Sequence, residues 1–287
     1  MKAGVIGLGQ IGGGIAVCLA RAGRLAAVYD LHDDAADRLE GVPTVAASPA
    51  EVARQSDVVI IAVVDAPQTL DVLSGPDGVL RAARPGVSVI LVATVALEDL
   101  DAIRALTDSA GVALIDSGVV GGRKAGENGL ICLVGAQDEE LARVMPVFDG
   151  FARRVAHLGG PGAGMAGKII YNAVFHATLR AGHEGAGLAR AYGLDVHALD
   201  RVFRESTESV GGPLMAATLP GDPESDPDEA QKRLRLSSVM TKDLEAALAL
   251  ARAHKIEVPM ISFTRETITD VMGLGATPIS RSRQTRP

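Results

Sequence analysis

Tryptophan is absent from this chain, and aromatic residues make up only 3% of its 287 positions. Its core must therefore be packed from Ala, Val, Leu and Gly. Cysteine is scarce as well. Cys18 and Cys132 are the only two, and their spacing suits neither a disulfide framework nor a metal site. Both lie in apolar segments and read as buried thiols. No apolar run reaches the roughly 18–20 residues that a membrane span needs. Basic charge is not in excess: 28 Lys and Arg stand against 35 Asp and Glu, a net charge of −7. That balance argues against nucleic acid as a partner and gives no sign of a membrane one. The chain enters a strand pattern at once, so no signal peptide is expected and the cytoplasm is the expected location. H-E-x-x-H and paired-cysteine spacings are missing, which gives no indication of a metal. G-x-S-x-G is missing too, and Ser117 has no evident His partner, which weighs against acyl transfer.

What is present is a composition of 47% hydrophobic and 22% charged residues, as in a soluble globular protein. The length suits one large or two ordinary domains. The most informative segment is KAGVIGLGQIGGGIAVCLARAGRLAAVYD, residues 2–30. It reads as a strand over Lys2–Ile6, a glycine turn, a helix, a second strand and an acid. Gly7, Gly9 and Gly12 form G-x-G-x-x-G. The first permits a tight turn, the second lets backbone approach a pyrophosphate, and the third lets helix and strand pack closely. Gln10 and Ile11 open the helix, whose free N–H groups and positive dipole end suit that pyrophosphate. Asp30 follows at the distance of roughly 20 residues where a carboxylate bonds a ribose 2′-hydroxyl. Leu31, His32, Asp33 and Asp34 supply no Arg for a 2′-phosphate, so NAD is expected over NADP. Asp30, Asp33 or Asp34 can equally cap a following helix, and both roles are compatible.

The first half alternates short apolar runs with helical segments. A helix is expected near Asp33–Leu39, a short strand near Thr44–Ala47, and a helix capped by Ser48-Pro49. Apolar strands follow at Asp57–Val64, Val87–Val92, Val112–Asp116, Leu130–Val134 and Arg154–Leu158. This alternation implies a largely parallel sheet with helices on both faces and ligands beyond the strand ends. Val64-Asp65, Thr94 and Ser117–Gly122 are then residues to watch. After Gly159-Gly160-Pro161-Gly162 the pattern turns helical. A proline-free helix of about 28–30 residues, roughly 45 Å long, reads as a spine between two domains. Further helices are expected at about Val196–Ser206, around Pro213–Leu219 and at Ser237–His254. Pro220–Asp228 reads as an exposed acidic loop, and the tail after Gly275 as mobile.

Two constellations can carry chemistry. Lys168 and Asn172, in GAGMAGKIIYN, share a face of the long helix. A desolvated lysine beside a cofactor has a lowered pKa and can exchange a proton near neutral pH. An isolated K-x-x-x-N is otherwise an ordinary solvated pair, but Gly162, Gly164 and Gly167 allow close approach at the helix start. The second is Asp116–Gly135, with six glycines after a strand. It can hold a carboxylate at a glycine turn, or simply be a tight crossover with Arg123 and Lys124 in solvent. His176 lies near the Lys168 face. A lone helix histidine is more often packed or solvated, and His176 and His183 are read that way.

These residues carry a resemblance. GLGQIG, DSGVVGG at 116–122, GAGMAGKIIYN at 162–172 and Lys242-Asp243 occur in the order and spacing of the β-hydroxyacid dehydrogenases, the family of 3-hydroxyisobutyrate dehydrogenase and tartronate semialdehyde reductase. ATVAL at 93–97 is a weaker match. The resemblance implies an α/β fold like that of 6-phosphogluconate dehydrogenase. A Rossmann domain over 1–161, with a doubly wound parallel sheet, would precede an all-α substrate and dimerisation domain over 162–287 that begins with the long interdomain helix. It implies an NAD-dependent oxidoreductase acting on the CH–OH group of a small β-hydroxy acid, with Lys168 as general acid/base. Asn172 would orient substrate, Gly121 and Gly122 would offer N–H groups to its carboxylate, and Thr94 would lie near nicotinamide and substrate. Lys242 would reach the same region from the C-terminal domain. A homodimer or homotetramer is expected.

The chain departs from the family on the substrate side. The usual D-A-P-V-S-G-G has Val120 in place of its Ser and Gly118 in place of its Pro. Tyr171 stands where the family favours a first Asn, and the residues before Lys242 lack the usual Phe. The alternatives are an imine reductase, or a non-catalytic dinucleotide-binding protein on the same fold. Lys168 and Asp30 oppose the first. The joint presence of Lys168, Asn172 and Lys242 opposes the second.

Overall fold

The structure, a computed structural model, describes residues 1–210 and 219–274. Two compact units divide the chain at Asn172/Ala173. The first is built on a seven-stranded sheet in the order β2-β1-β3-β4-β5-β6-β7. Its strands are β1 (Ala3–Ile6), β2 (Leu25–Tyr29), β3 (Val58–Ile61), β4 (Ser88–Leu91), β5 (Ala113–Val120), β6 (Leu130–Gly135) and β7 (Ala152–Gly159). All neighbours pair parallel except β5 and β6. The helices are α1 (Gln10–Arg21), α2 (Pro49–Gln55), α3 (Ala66–Ser74), α4 (Leu97–Ser109) and α5 (Asp138–Phe148).

Strand periodicity explains the two cores. Val5, Ile60, Ile90 and Ile115 point to one face, where they meet Ile15 and Leu19 of α1 and Val144 and Phe148 of α5. Their neighbours Ile6, Ile61, Leu91 and Leu114 point to the other, against Val52 of α2, Leu73 of α3 and Ile103 of α4. A strand buried on both faces must be apolar throughout, which is why VVII and SVIL show no alternation. Each buried Val, Ile or Leu side chain contributes about 1.5–3 kcal/mol. The strand order reverses at β1 and β3, so the ligand crevice lies beyond their C-terminal ends.

The second unit is helical. The long helix α6 (Ala163–Ala191, 29 residues) runs from the first unit into it, and α7 (Val196–Val210), α8 (Pro227–His254) and α9 (Pro259–Val271) follow. Leu188, Ala251 and Val258 form its small core. The buried Glu184 carboxylate caps α9, accepting from the N–H groups of Met260 (2.9 Å) and Ile261 (3.0 Å). Among the described residues no helix is long and apolar enough to cross a membrane.

Several expected elements differ. Residues 33–39 form no helix. Ala35, Asp37 and Leu39 bond back three residues in successive turns, while Ala36 is buried and Leu39 packs on the α1 side of the core. Thr44–Ala47 is not a strand: only Ala46 N–H reaches Val28 O, and Ala47 N–H goes to the Glu51 carboxylate. The strand expected at Val112–Asp116 continues to Val120 because β6 pairs with its second half. The helix expected from Ser237 starts ten residues earlier, at Pro227, with Asp226 as its N-cap. The acidic stretch therefore ends there rather than at Asp228. Helix α9 was not foreseen. Ser48 caps α2 as expected, accepting from Glu51 N–H at 3.2 Å. The segment around 213–218 and the tail from 275 lie outside the described residues.

Candidate active site

The glycine turn after β1 takes the form that its residues require. Gly7 has φ +88°, a conformation glycine adopts without strain, and its N–H donates to Tyr29 O at 2.8 Å. A Cβ at Gly12 would collide with the Gly7 carbonyl, so only glycine lets α1 pack this closely on the turn. Gly9 is the opposite case: a Cβ there would meet nothing within 4 Å. That face is open, and the first N–H groups of α1 lie beside it. A cleft of about 470 Å³ adjoins it, lined by Gly7, Gly9, Asp30, His32, Val64 and Asp71 among others. The open glycine, the helix N-terminus and the acid at the end of β2 fit a dinucleotide.

Asp30 serves the turn as well. Its Oδ2 accepts from Leu8 N–H (2.7 Å) and its Oδ1 from His32 N–H (3.0 Å), so the carboxylate ties the glycine turn to the end of β2. Each oxygen keeps a further lone pair. Val64 is exposed on the cleft, whereas Asp65 caps α3 by accepting from Gln68 N–H at 2.9 Å. Gln10 is exposed at the start of α1, and Ile11 packs next to Gly122, where an added Cβ would stand 2.6 Å from Ile11 Cδ1. The turn after β5, Gly121–Glu127, thus lies against α1. Cys18 Sγ donates to Ala125 O at 3.2 Å within that contact.

Lys168 stands over the C-terminal half of β5. A Cβ at Gly118 would collide with Lys168 Cβ, so the helix rests on the strand. Burial lowers the Lys168 pKa from its ordinary value, because desolvation disfavours the ammonium form. The Nζ lies 5.3 Å from the centroid of the Tyr171 ring, within cation–π range. Asn172 is half-buried one turn on. Thr94 is exposed just beyond β4, and Val120 ends β5, followed by Gly121 at φ +88°. Lys242 lies on α8 in the second unit, exposed and 3.3 Å from Asp243 Oδ1. His176 and His183 are exposed on α6.

Asp116 is the residue to which sequence reasoning gave no role, and Gly118 was read only as a departure from the family motif. Asp116 is fully buried; its Oδ1 accepts from Gly162 N–H at 2.6 Å and its Oδ2 from Met165 N–H at 2.7 Å. A carboxylate inside a β-strand is the signal that could have marked it. Burial pushes the Cys132 thiol up to about 12, with the Ser117 hydroxyl partly offsetting it, so this thiol is chemically quiet.

Residues 2–159 match the NAD binding domain of 6-phosphogluconate dehydrogenase. The chain is 31% identical over 258 residues to an NAD-dependent L-serine dehydrogenase of Pseudomonas aeruginosa, covering 89% of this chain and 87% of that one. An L-threonate dehydrogenase of Cupriavidus necator is 33% identical over 267 residues, covering 90% and 86%. Among solved structures, a Mycobacterium tuberculosis 3-hydroxyisobutyrate dehydrogenase with L-serine superposes with a TM-score of 0.64 at 25% identity, covering 95% and 94%.

Proposed function

The chain belongs to the β-hydroxyacid dehydrogenase family, an NAD(P)-binding oxidoreductase acting on hydroxyl groups, and from that premise we propose the reaction and the residues that perform it. The reaction is oxidation of a small β-hydroxy acid to its semialdehyde, or the reverse, with Lys168 as general acid/base. The observation that carries this reading is the desolvated Lys168 amine, seated on β5 by Gly118. When bound, NAD supplies the nicotinamide that accepts a hydride. The open face of Gly9 and the first N–H groups of α1 hold the pyrophosphate, and Asp30 holds the ribose hydroxyls. Lys168, as the free amine, takes the substrate hydroxyl proton at Nζ, and in reduction its ammonium returns that proton to the carbonyl oxygen. Asn172 orients the hydroxyl. The N–H groups at Gly121 and Gly122 receive the carboxylate. Thr94 completes the surroundings, and the family resemblance implies a cofactor role for Lys242.

NAD is favoured over NADP. Asp30 and Asp71 line the cleft and repel a 2′-phosphate, and no Arg stands at 31–34. Val120 and Tyr171 replace polar family residues, so the substrate is a relative of 3-hydroxyisobutyrate, L-serine or L-threonate rather than necessarily one of them. Exposed apolar side chains on the second unit, including Leu179 and Phe203, suit a homodimer or homotetramer. Two unpaired buried thiols suit the cytoplasm.

The test is NADH formation by the purified chain with those three acids, D-glycerate and 3-hydroxypropionate, using NAD and NADP in parallel. Turnover of at least one acid, faster with NAD, is the expected result. Binding of NADH without turnover of any acid would overturn the dehydrogenase reading in favour of a binding protein. Turnover of cyclic imines with NADPH would move it to imine reduction.

A further inference from the structure

We propose that Asp116 is a positioning residue: its buried carboxylate pins the first turn of α6 to β5 and thereby sets where the Lys168 amine stands. Three observations on one strand carry this. Both Asp116 oxygens are committed, one to Gly162 N–H at 2.6 Å and one to Met165 N–H at 2.7 Å, and the side chain has no exposure. Two of the N–H groups that a helix start leaves without partners are thus met by a full negative charge at the positive end of the dipole. Such charge-assisted bonds are roughly twice as strong as neutral ones. Two residues along, Gly118 lets the Lys168 backbone descend onto the strand. The descent continues at the neighbouring strand. A Cβ at Gly164 would stand 2.6 Å from Asp116 O and from Gly135 N, so no side chain holds helix and sheet apart there. Arg104 lies on the outer side, its Nη2 3.8 Å from Asp116 Oδ1. At that distance it balances the buried charge without taking a lone pair from the pin.

The consequence is geometric. Lys168 follows Met165 by three residues, less than one turn, so any slack at the pin reaches the amine with little loss. The same strand ends at Val120, immediately before Gly121. Asp116 therefore fixes the lysine relative to the strand that carries the proposed carboxylate turn. The catalytic consequence rests on Lys168 being the acid/base; the placement of the amine does not.

The experiment is competitive acetylation of the full chain with acetic anhydride at a single pH, read by mass spectrometry at each lysine. Wild type is compared with Asp116→Asn, which removes one acceptor, and with Gly118→Ala, which leaves the pin but obstructs the seat. In both variants Lys168 labelling is expected to fall several-fold as the amine regains water and its proton. Lys2, Lys124 and Lys242 serve as references and should not change. With a substrate in hand, kcat of Asp116→Asn is expected to fall by about 100-fold, the cost of an ångström-scale misplacement, with NADH affinity unchanged. Unchanged Lys168 labelling in folded variants would overturn the proposal, whatever the activity. A Lys168→Ala enzyme that keeps its activity would instead remove the acid/base reading and leave the labelling result standing. If Asp116→Asn does not fold, Asp116→Glu, which keeps the charge but displaces both acceptors from Gly162 and Met165, decides by the same labelling.

Discussion

At the residue scale, glycines in one motif have opposite duties, and substitution separates them. Gly12 serves packing: an added methyl would meet the Gly7 carbonyl, so Gly12→Ala is expected to lower the melting temperature by several degrees. Gly9 serves the ligand. Gly9→Val should fold with a near-normal melting temperature yet lose NADH binding by at least tenfold in a fluorescence titration, because its side chain fills the open face. A tight-binding Gly9→Val variant would place the pyrophosphate elsewhere. Lys168 gives a pH prediction with a definite sign. Desolvation lowers its pKa, and oxidation needs the free amine. The oxidation rate should therefore rise with pH through a midpoint below the ordinary lysine value, and reduction should fall through the same midpoint. Profiles flat across that range would disconnect the lysine from proton transfer. The motif glycines and Lys168 were legible because their chemistry is local in sequence. Asp116 was not, since its partners lie 46 and 49 residues away and nothing near it in sequence announces them.

Among the elements, the buried strands and the long helix were readable because a doubly buried strand and a 29-residue proline-free pattern leave few alternatives. The stretch over 33–47 was not, because its bonds are isolated three-residue turns and a single contact to Val28, which no period reveals. The run at 116–120 read as a glycine loop. It is strand because β6 supplies a partner, and pairing outweighs local propensity. Helix α9 shows another long-range dependence, since Glu184 on α6 supplies its cap. Burial pushes the Glu184 pKa up, but the Met260 and Ile261 N–H groups and Arg180 outweigh it and hold the pKa below its ordinary 4.5. A depressed carboxylate pKa stabilises the fold above the unfolded value. That stability is lost as pH falls from about 4.5 through the lower folded value. Glu184→Ala leaves two partly buried donors without that carboxylate and should cost about 1–3 kcal/mol in denaturant unfolding at pH 7. The deficit relative to wild type should shrink on acidification. A deficit independent of pH would mean the carboxylate charge contributes nothing.

On the scale of the whole molecule, the largely parallel sheet and the helical second unit follow from the alternation of apolar runs and from the long helix, both present in the sequence, whereas the strand order is set by pairing that the sequence does not show. Large apolar side chains stay exposed on the second unit, with Phe203 at 67% and Phe263 at 60%. Light scattering is expected to give a mass that is a multiple of 29.5 kDa at micromolar concentration. A monomer at that concentration would contradict the oligomer proposed here. The central claim concerns one amine. The measurement that tests it most directly is kcat of Lys168→Ala beside wild type, on the best acid of the panel, with NADH affinity measured on the same samples. The account predicts a loss of about 100-fold or more in kcat with the affinity preserved. A folded, NADH-binding variant with unchanged kcat would contradict it.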